Sequence, residues 1–188
     1  AGFGADLGAE KFLNIKCRKA GFTPSCVVIV ATIRALKMHG GLEKKDLKKE
    51  NINSLKKGLE NLERHIQNIK KFGLEPIVAI NNFITDTNKE IKIVFDFCKK
   101  LKVEISECKH WAQGGKGATD LAKKVVKICK NSNKKKFRYL YKTSDKLLEK
   151  IDLIAKQNYR ANKVEINQEV RDQLKMFESS GYGHLPIC

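Results

Sequence analysis

Three short apolar runs rich in β-branched residues punctuate the chain, at 26–31, 76–80 and 103–106. Each reads as a buried strand. Helical periodicity fills the intervals. Between the first two runs, Ile52, Leu55, Leu59, Leu62, Ile66, Ile69 and Phe72 recur at steps of three and four, with Lys, Glu and Asn between them. That spacing places one apolar stripe on a helix over 51–72, with Gly73 as its stop. Between the second and third runs, Ile91, Val94, Phe95, Cys98 and Leu101 predict a helix over 88–101. Thr87 and Glu90 stand at capping-box spacing before it. After the third run, a glycine-rich turn leads into a helix over 118–130, whose apolar face is Leu121, Val125 and Ile128.

Strands joined by helical crossovers mean a parallel α/β sheet. In such sheets ligands lie beyond the carboxyl ends of the strands. The segments to watch are therefore 32–41, 81–87 and 107–117. Three strands are few for a doubly wound sheet, which has about five or six, so further strands are expected from sequence elsewhere or from a partner. From Asn131 the character changes. Residues 131–136 form a polar connector, followed by helical patterns over 144–158 and from Asn167, where Val170, Leu174 and Phe177 point inward. The tail 181–188 reads as loop.

Composition adds a constraint. The 188 residues carry a formal charge of +17, with 41% hydrophobic and 31% charged residues, which suits a folded chain with a real core. The excess invites a nucleic-acid reading. Its make-up argues against one: 32 of the 38 basic residues are Lys and 6 are Arg, whereas base-edge readers favour the arginine fork. The lysines are also spread along the chain, so a solvated surface that attracts small anions is the simpler account. No apolar run approaches the roughly 18 residues of a membrane span, and no signal peptide is expected. The chain starts with Ala rather than Met, so a piece of a longer protein is expected. None of the six cysteines forms a C-x-x-C pair, and reduced thiols are expected at this chain length. Cys108 and His110 alone do not make a metal site.

The strand-end segments carry the candidate chemistry. Asn81 can read a nucleobase or hold a neighbouring loop, while Thr87 is a helix cap. Phe83 and Trp111 are large aromatics in polar loops one crossover apart. Each is either a lid over the core or a stacking platform, and together they could sandwich a planar ring. The run Gly114, Gly115, Lys116, Gly117 lets backbone approach a ligand closely. It is not a phosphate loop of the G-x-x-x-x-G-K-[ST] type, and no other segment fits that pattern. Gly2, Phe3 and Gly4 open a second glycine-rich turn, before a helix carrying Glu10, Lys11 and Phe12.

Several blocks resemble the formate–tetrahydrofolate ligase (formyltetrahydrofolate synthetase) family. They are Gly2-Phe-Gly-Ala-Asp6, Ile15-Lys-Cys-Arg18, Val30-Ala-Thr-Ile-Arg-Ala-Leu-Lys-Met-His-Gly-Gly41, Asn81-x-Phe83-x-Thr85-Asp86-Thr87, His110-Trp111 with Gly114-Gly-Lys-Gly117, and Gly183-His-Leu-Pro-Ile-Cys188. The resemblance spans the whole chain and matches a middle-to-late part of the family's length. It implies part of a parallel-sheet, phosphate-loop NTPase-like domain with helices on both faces (1–136), followed by a helical region of the C-terminal domain (137–188). It implies an ATP-dependent ligase of one-carbon metabolism that phosphorylates formate and passes the formyl group to tetrahydrofolate, giving 10-formyltetrahydrofolate.

By that resemblance Phe83, Trp111 and Phe3 hold the folate, Gly2 lines the formyl-phosphate region, and Asn81, Gly114, Gly115 and Gly117 lie on the nucleotide side. Ile84 stands where bacterial members often have Pro. The phosphate-loop lysine has no counterpart in the chain, so the 188 residues alone are expected to lack ligase activity. Also implied are ATP with Mg2+, tetrahydrofolate as substrate, scope for a monovalent cation, and a homo-oligomeric parent with no membrane or specific nucleic-acid partner. A cytoplasmic location is expected, with a mitochondrial parent as the alternative. Two competing readings are a phosphate-loop-type nucleotide-binding protein without folate chemistry and a basic nucleic-acid-binding module. Folate quenching of Trp111 fluorescence separates the first from the ligase. A steep salt dependence of oligonucleotide binding would identify the second.

Overall fold

The structure, a computed structural model, describes residues 4–132 and 136–188. In chain order the elements begin with α1 (Ala5–Lys11), which runs through the wider turn of Phe12–Cys17 into α2 (Arg18–Ala20). Then come β1 (Val27–Ala31), α3 (Ile33–His39), α4 (Ile52–Lys71), β2 (Pro76–Asn81), α5 (Asn88–Lys100), β3 (Glu104–Cys108), α6 (His110–Gln113) and α7 (Thr119–Asn131). Helices α8 (Leu147–Tyr159) and α9 (Gln168–Phe177) follow. The described residues form two compact units. One comprises residues 25–70 and 74–132; the other comprises residues 4–24, 71–73 and 136–188.

The first unit is built on a three-stranded parallel sheet of order β1-β2-β3. Its central strand is buried from Pro76 to Ile80, as a strand flanked on both edges should be. The predicted stripe on α4 is its core face: Leu55, Leu59, Leu62, Ile66 and Ile69 are all buried. On α5, Ile91, Val94 and Cys98 do the same. The Thr87–Glu90 capping box is present in both directions. On α7 the expected face is only half-buried, at Leu121, Val125 and Ile128.

Several expectations are corrected, among them the inward face of α9, where Val170 and Phe177 are exposed. The 32–41 segment, to which the sequence assigns no element, is largely helical: Thr32 caps α3 by accepting the Ala35 N–H at 3.1 Å. β1 is not buried throughout either. Ile29 and Ala31 point into the core, while Val28 and Val30 are exposed, Val30 by 66%. β3 also starts one residue late and runs on to Cys108, because Asn81 at the end of β2 pairs with Cys108.

Where α3 meets α4, glycines replace side chains. A Cβ on Gly58 would lie 1.7 Å from the Leu36 carbonyl oxygen, and one on Gly40 would lie 1.8 Å from that of Ser54. The two backbones therefore touch, which fixes α3 against α4.

The second unit is held by polar contacts around Tyr141. The Arg18 guanidinium lies 3.8 Å from the Tyr139 ring centroid and donates to the Asn14 and Tyr141 carbonyls. Lys150, fully buried, donates to the Gly183 and Leu185 carbonyls at 2.6 and 3.0 Å. The Ile187 N–H reaches the Tyr141 hydroxyl at 2.8 Å. The tail, expected as loop, is thus pinned over much of its length. Part of it is helical, since a wide turn over Glu178–Tyr182 extends α9.

Candidate ligand-binding site

The sequence places Phe83 and Trp111 on the loops that follow β2 and β3, and the structure joins those loops through one residue. The Asn82 N–H donates to the Cys108 carbonyl at 3.0 Å, extending the β2–β3 pairing by one step. The Asn82 carbonyl accepts the Trp111 indole N–H at 2.8 Å. Both aromatics are therefore referenced to the same short stretch of backbone. Trp111 is 56% exposed despite this bond. An indole anchored at its N–H and open on its face is suited to stacking rather than to core filling.

Phe83 is half-buried, and one side of it is occupied. The Arg34 guanidinium carbon lies 4.5 Å from its ring centroid, and Arg34 Nη2 donates to Thr85 Oγ1 at 3.1 Å. The loop itself is a tight turn. The Asp86 N–H reaches the Phe83 carbonyl at 2.9 Å, and Asp86 Oδ2 accepts the Phe83 N–H at 2.9 Å. Burial pushes the Asp86 carboxyl above its ordinary range, against the pull of the Phe83 N–H and of the nearby Arg34 charge. Arg34 Nε and Asp86 Oδ1 are buried without a hydrogen-bond partner. Ile84, at the tip, is 84% exposed.

The base of the loop is a buried ion pair. Lys37 Nζ lies 2.9 Å from Glu90 Oε1, and both side chains are fully buried. Lys37 also donates to the Lys49 carbonyl at 2.8 Å. Glu90 accepts the backbone N–H groups of Asn51 and Thr87 at 3.2 and 3.1 Å. Desolvation works to raise the Glu90 carboxyl, but Lys37 and these two amides outweigh it and hold it below its ordinary range. Sequence reasoning missed both Arg34 and Lys37. No local signal marks them: α3 has only seven residues, and basic residues are spread along the whole chain.

The glycine turn after β3 forms α6 and a tight 3-10 stretch, Gly114–Ala118. Its glycines differ in kind. Gly114 has a positive φ of 56°, and neither Gly114 nor Gly115 has an atom within 4 Å of a notional Cβ. Gly117 is packed: a Cβ there would sit 2.5 Å from the Lys109 carbonyl group, whose residue also donates its N–H to the Gly117 carbonyl at 3.0 Å. Behind the turn, Asp120 of α7 accepts from Ser106 Oγ at 2.6 Å and from Lys124 at 2.7 Å. The Ser106 bond ties α7 to β3, and the Lys124 and Ser106 bonds together hold the Asp120 carboxyl below its ordinary range. Asn81 is the last residue of β2, opposite Cys108. Gly2 and Phe3 lie outside the described residues. Among the described residues no group of three or more His, Cys, Asp and Glu side chains is arranged to hold a metal ion, and no helix is long and apolar enough to cross a membrane.

All 188 residues match the family model described as formate–tetrahydrofolate ligase. Over its whole length the chain is similar to three proteins named formate–tetrahydrofolate ligase. It is 58% identical to that of Pelagibacter ubique (strain HTCC1062), covering 33% of that protein. It is 56% identical to that of Hyphomonas neptunium (strain ATCC 15444) and 52% identical to that of Rhizobium rhizogenes (strain K84 / ATCC BAA-868), covering 34% of each. The chain thus spans about a third of the length of the curated relatives it matches.

Proposed function

Because this chain belongs to the formate–tetrahydrofolate ligase family, we propose that it forms the folate-holding part of an ATP-dependent ligase that joins formate to tetrahydrofolate through formyl phosphate. The observation that carries the reading is the linkage of Phe83 and Trp111 through Asn82. Trp111 is tied by its N–H to the residue that precedes Phe83, and its face stays open. Two aromatics held at adjacent strand ends suit a flat bicyclic ring, since aromatic rings favour offset stacking. The parallel sheet supports placing the chain in a phosphate-loop NTPase-like domain, where ligands gather at the carboxyl strand ends.

In this reading Phe83 and Trp111 hold the pterin. Asn81, Gly114, Gly115 and Gly117 lie on the nucleotide side. The open space at Gly114 and Gly115 supports close approach of a ligand there. Mg2+ enters with the ATP phosphates, where it neutralises charge on the transferring group. The described residues offer it no cluster of their own, and the same reading leaves a monovalent cation unassigned. The lysine-rich surface draws anionic substrates toward the protein. The parent is read as a cytoplasmic homo-oligomer.

The test uses the complete polypeptide that carries this chain, supplied with ATP, formate and tetrahydrofolate. Phe83→Ala and Trp111→Ala should each raise KM for tetrahydrofolate by about tenfold or more, with KM for ATP within about twofold. An unchanged KM for tetrahydrofolate in both variants would remove the stacking assignment.

A further inference from the structure

We propose that Arg34 is a positioning residue for the folate platform: it closes one face of Phe83 and so dictates which face receives the ligand ring. The proposal rests on the stacking role of Phe83 argued above. Its structural half stands independently. Arg34 and Lys37 project from the same side of α3, one turn apart, and both reach the loop between β2 and α5. Lys37 grips the base of that loop through Glu90 at 2.9 Å. Arg34 grips its middle twice, by the Thr85 hydroxyl at 3.1 Å and by the Phe83 ring at 4.5 Å.

The geometry determines what Arg34 can do. A guanidinium over an aromatic face is attracted to the ring quadrupole, worth more as water is excluded. Its fork is directional, so the bond to Thr85 fixes where the cation sits over the ring. A ring with a cation on one face has only the other face for a flat ligand. α3 cannot drift to relax this arrangement, because its backbone is in contact with α4 at Gly58 and Gly40. Nor can the Phe83 backbone turn away, because its N–H is bound by Asp86 and its carbonyl by the Asp86 N–H. With its backbone held, the Phe83 ring can move only through its own side-chain torsions, and Arg34 is the group that restricts them.

The experiment places 4-fluorophenylalanine at position 83 of the complete polypeptide. Its 19F line shape and its KM for tetrahydrofolate, ATP and formate are then compared in wild type, Arg34→Gln, Arg34→Lys and Thr85→Val backgrounds. Arg34→Gln should shift and broaden the fluorine signal and raise KM for tetrahydrofolate by roughly three- to tenfold. The ATP and formate constants should stay within about twofold. Arg34→Lys, which keeps the cation but loses the fork, should fall between, and Thr85→Val should produce a smaller change of the same kind without removing a charge. A fluorine signal indifferent to Arg34→Gln overturns the positioning role, whatever happens to folate. A signal that moves while neither Arg34→Gln nor Phe83→Ala alters KM for tetrahydrofolate overturns the stacking reading instead, and the ligand half of this proposal with it.

Discussion

The indole N–H of Trp111 donates to the backbone carbonyl of Asn82 at 2.8 Å, across the gap between two successive strand-end loops. Asn82 is buried, and its N–H is already committed to Cys108. The contact thus ties a mostly exposed aromatic to the central strand of the sheet, one residue before the second aromatic of the pair. Separation of the two rings follows from backbone geometry rather than from contact between the rings.

Trp111→Phe isolates that contact. It keeps an aromatic face but removes the only ring donor, leaving the Asn82 carbonyl without this partner. A hydrogen bond of this kind is worth about 1 kcal/mol net. Tetrahydrofolate affinity should therefore fall by roughly three- to tenfold, measured by titration of the complete polypeptide, and less than in Trp111→Ala. Equal losses in the two variants would show that the ring face contributes nothing.

The Lys37–Glu90 pair should respond as a unit. Removing one partner strands the other charge in the core, and such single changes cost about 3–5 kcal/mol. Lys37→Met and Glu90→Leu should each lower the unfolding midpoint strongly. The double variant should lose less than the two losses added together. The pH dependence has a definite sign. The Glu90 carboxyl is held below its ordinary range in the fold, so its contribution is complete above that range and disappears as pH falls through it. Between pH 7 and about pH 3 the stability gap between wild type and Glu90→Gln should narrow. A constant gap would rule out the charge of Glu90 as the source of its effect.

These two sites also show what the sequence could disclose. The α4 stripe from Leu55 to Ile69 was legible because burial repeats at the helical period, and the Thr87 cap because its chemistry is local. The two strand-end aromatics were legible as oddities, large apolar groups in polar loops. Arg34 and Lys37 were not. In a chain with 38 basic residues, nothing local separates a lysine that enters the core from those on the surface. Its partner, Glu90, lies on another helix and was accounted for by its place in the capping box. Exposure of Val28 and Val30 was equally illegible, since a β-branched run reads the same at an edge as in the centre of a sheet. Helix α3 was missed because seven residues with a buried lysine give too little apolar periodicity.

Contact between α3 and α4 predicts an inversion of ordinary helix propensity. In an exposed helix, Gly→Ala stabilises by about 1 kcal/mol. At position 58 the new methyl would lie 1.7 Å from the Leu36 carbonyl oxygen, so the helices must part. Gly58→Ala should destabilise by about 1–3 kcal/mol, the usual range for overpacking. Because α3 carries Arg34 and Lys37, the variant should also weaken tetrahydrofolate binding. A stabilised Gly58→Ala protein, by denaturant midpoint, would refute the close approach.

The glycine turn offers a sharper contrast, because Gly115 and Gly117 stand two residues apart with opposite surroundings. Alanine at Gly117 meets the Lys109 carbonyl at 2.5 Å, inside the backbone that leads to Trp111. Alanine at Gly115 meets nothing within 4 Å. Gly117→Ala should therefore lower stability and shift the Trp111 emission, since the start of α6 must move. Gly115→Ala should leave stability within about 0.5 kcal/mol, as surface changes away from special geometry do. If the open space at Gly115 admits a nucleotide, the same change should raise KM for ATP while KM for tetrahydrofolate holds. A Gly115→Ala enzyme with normal constants for both substrates would confine the role of the turn to carrying Trp111.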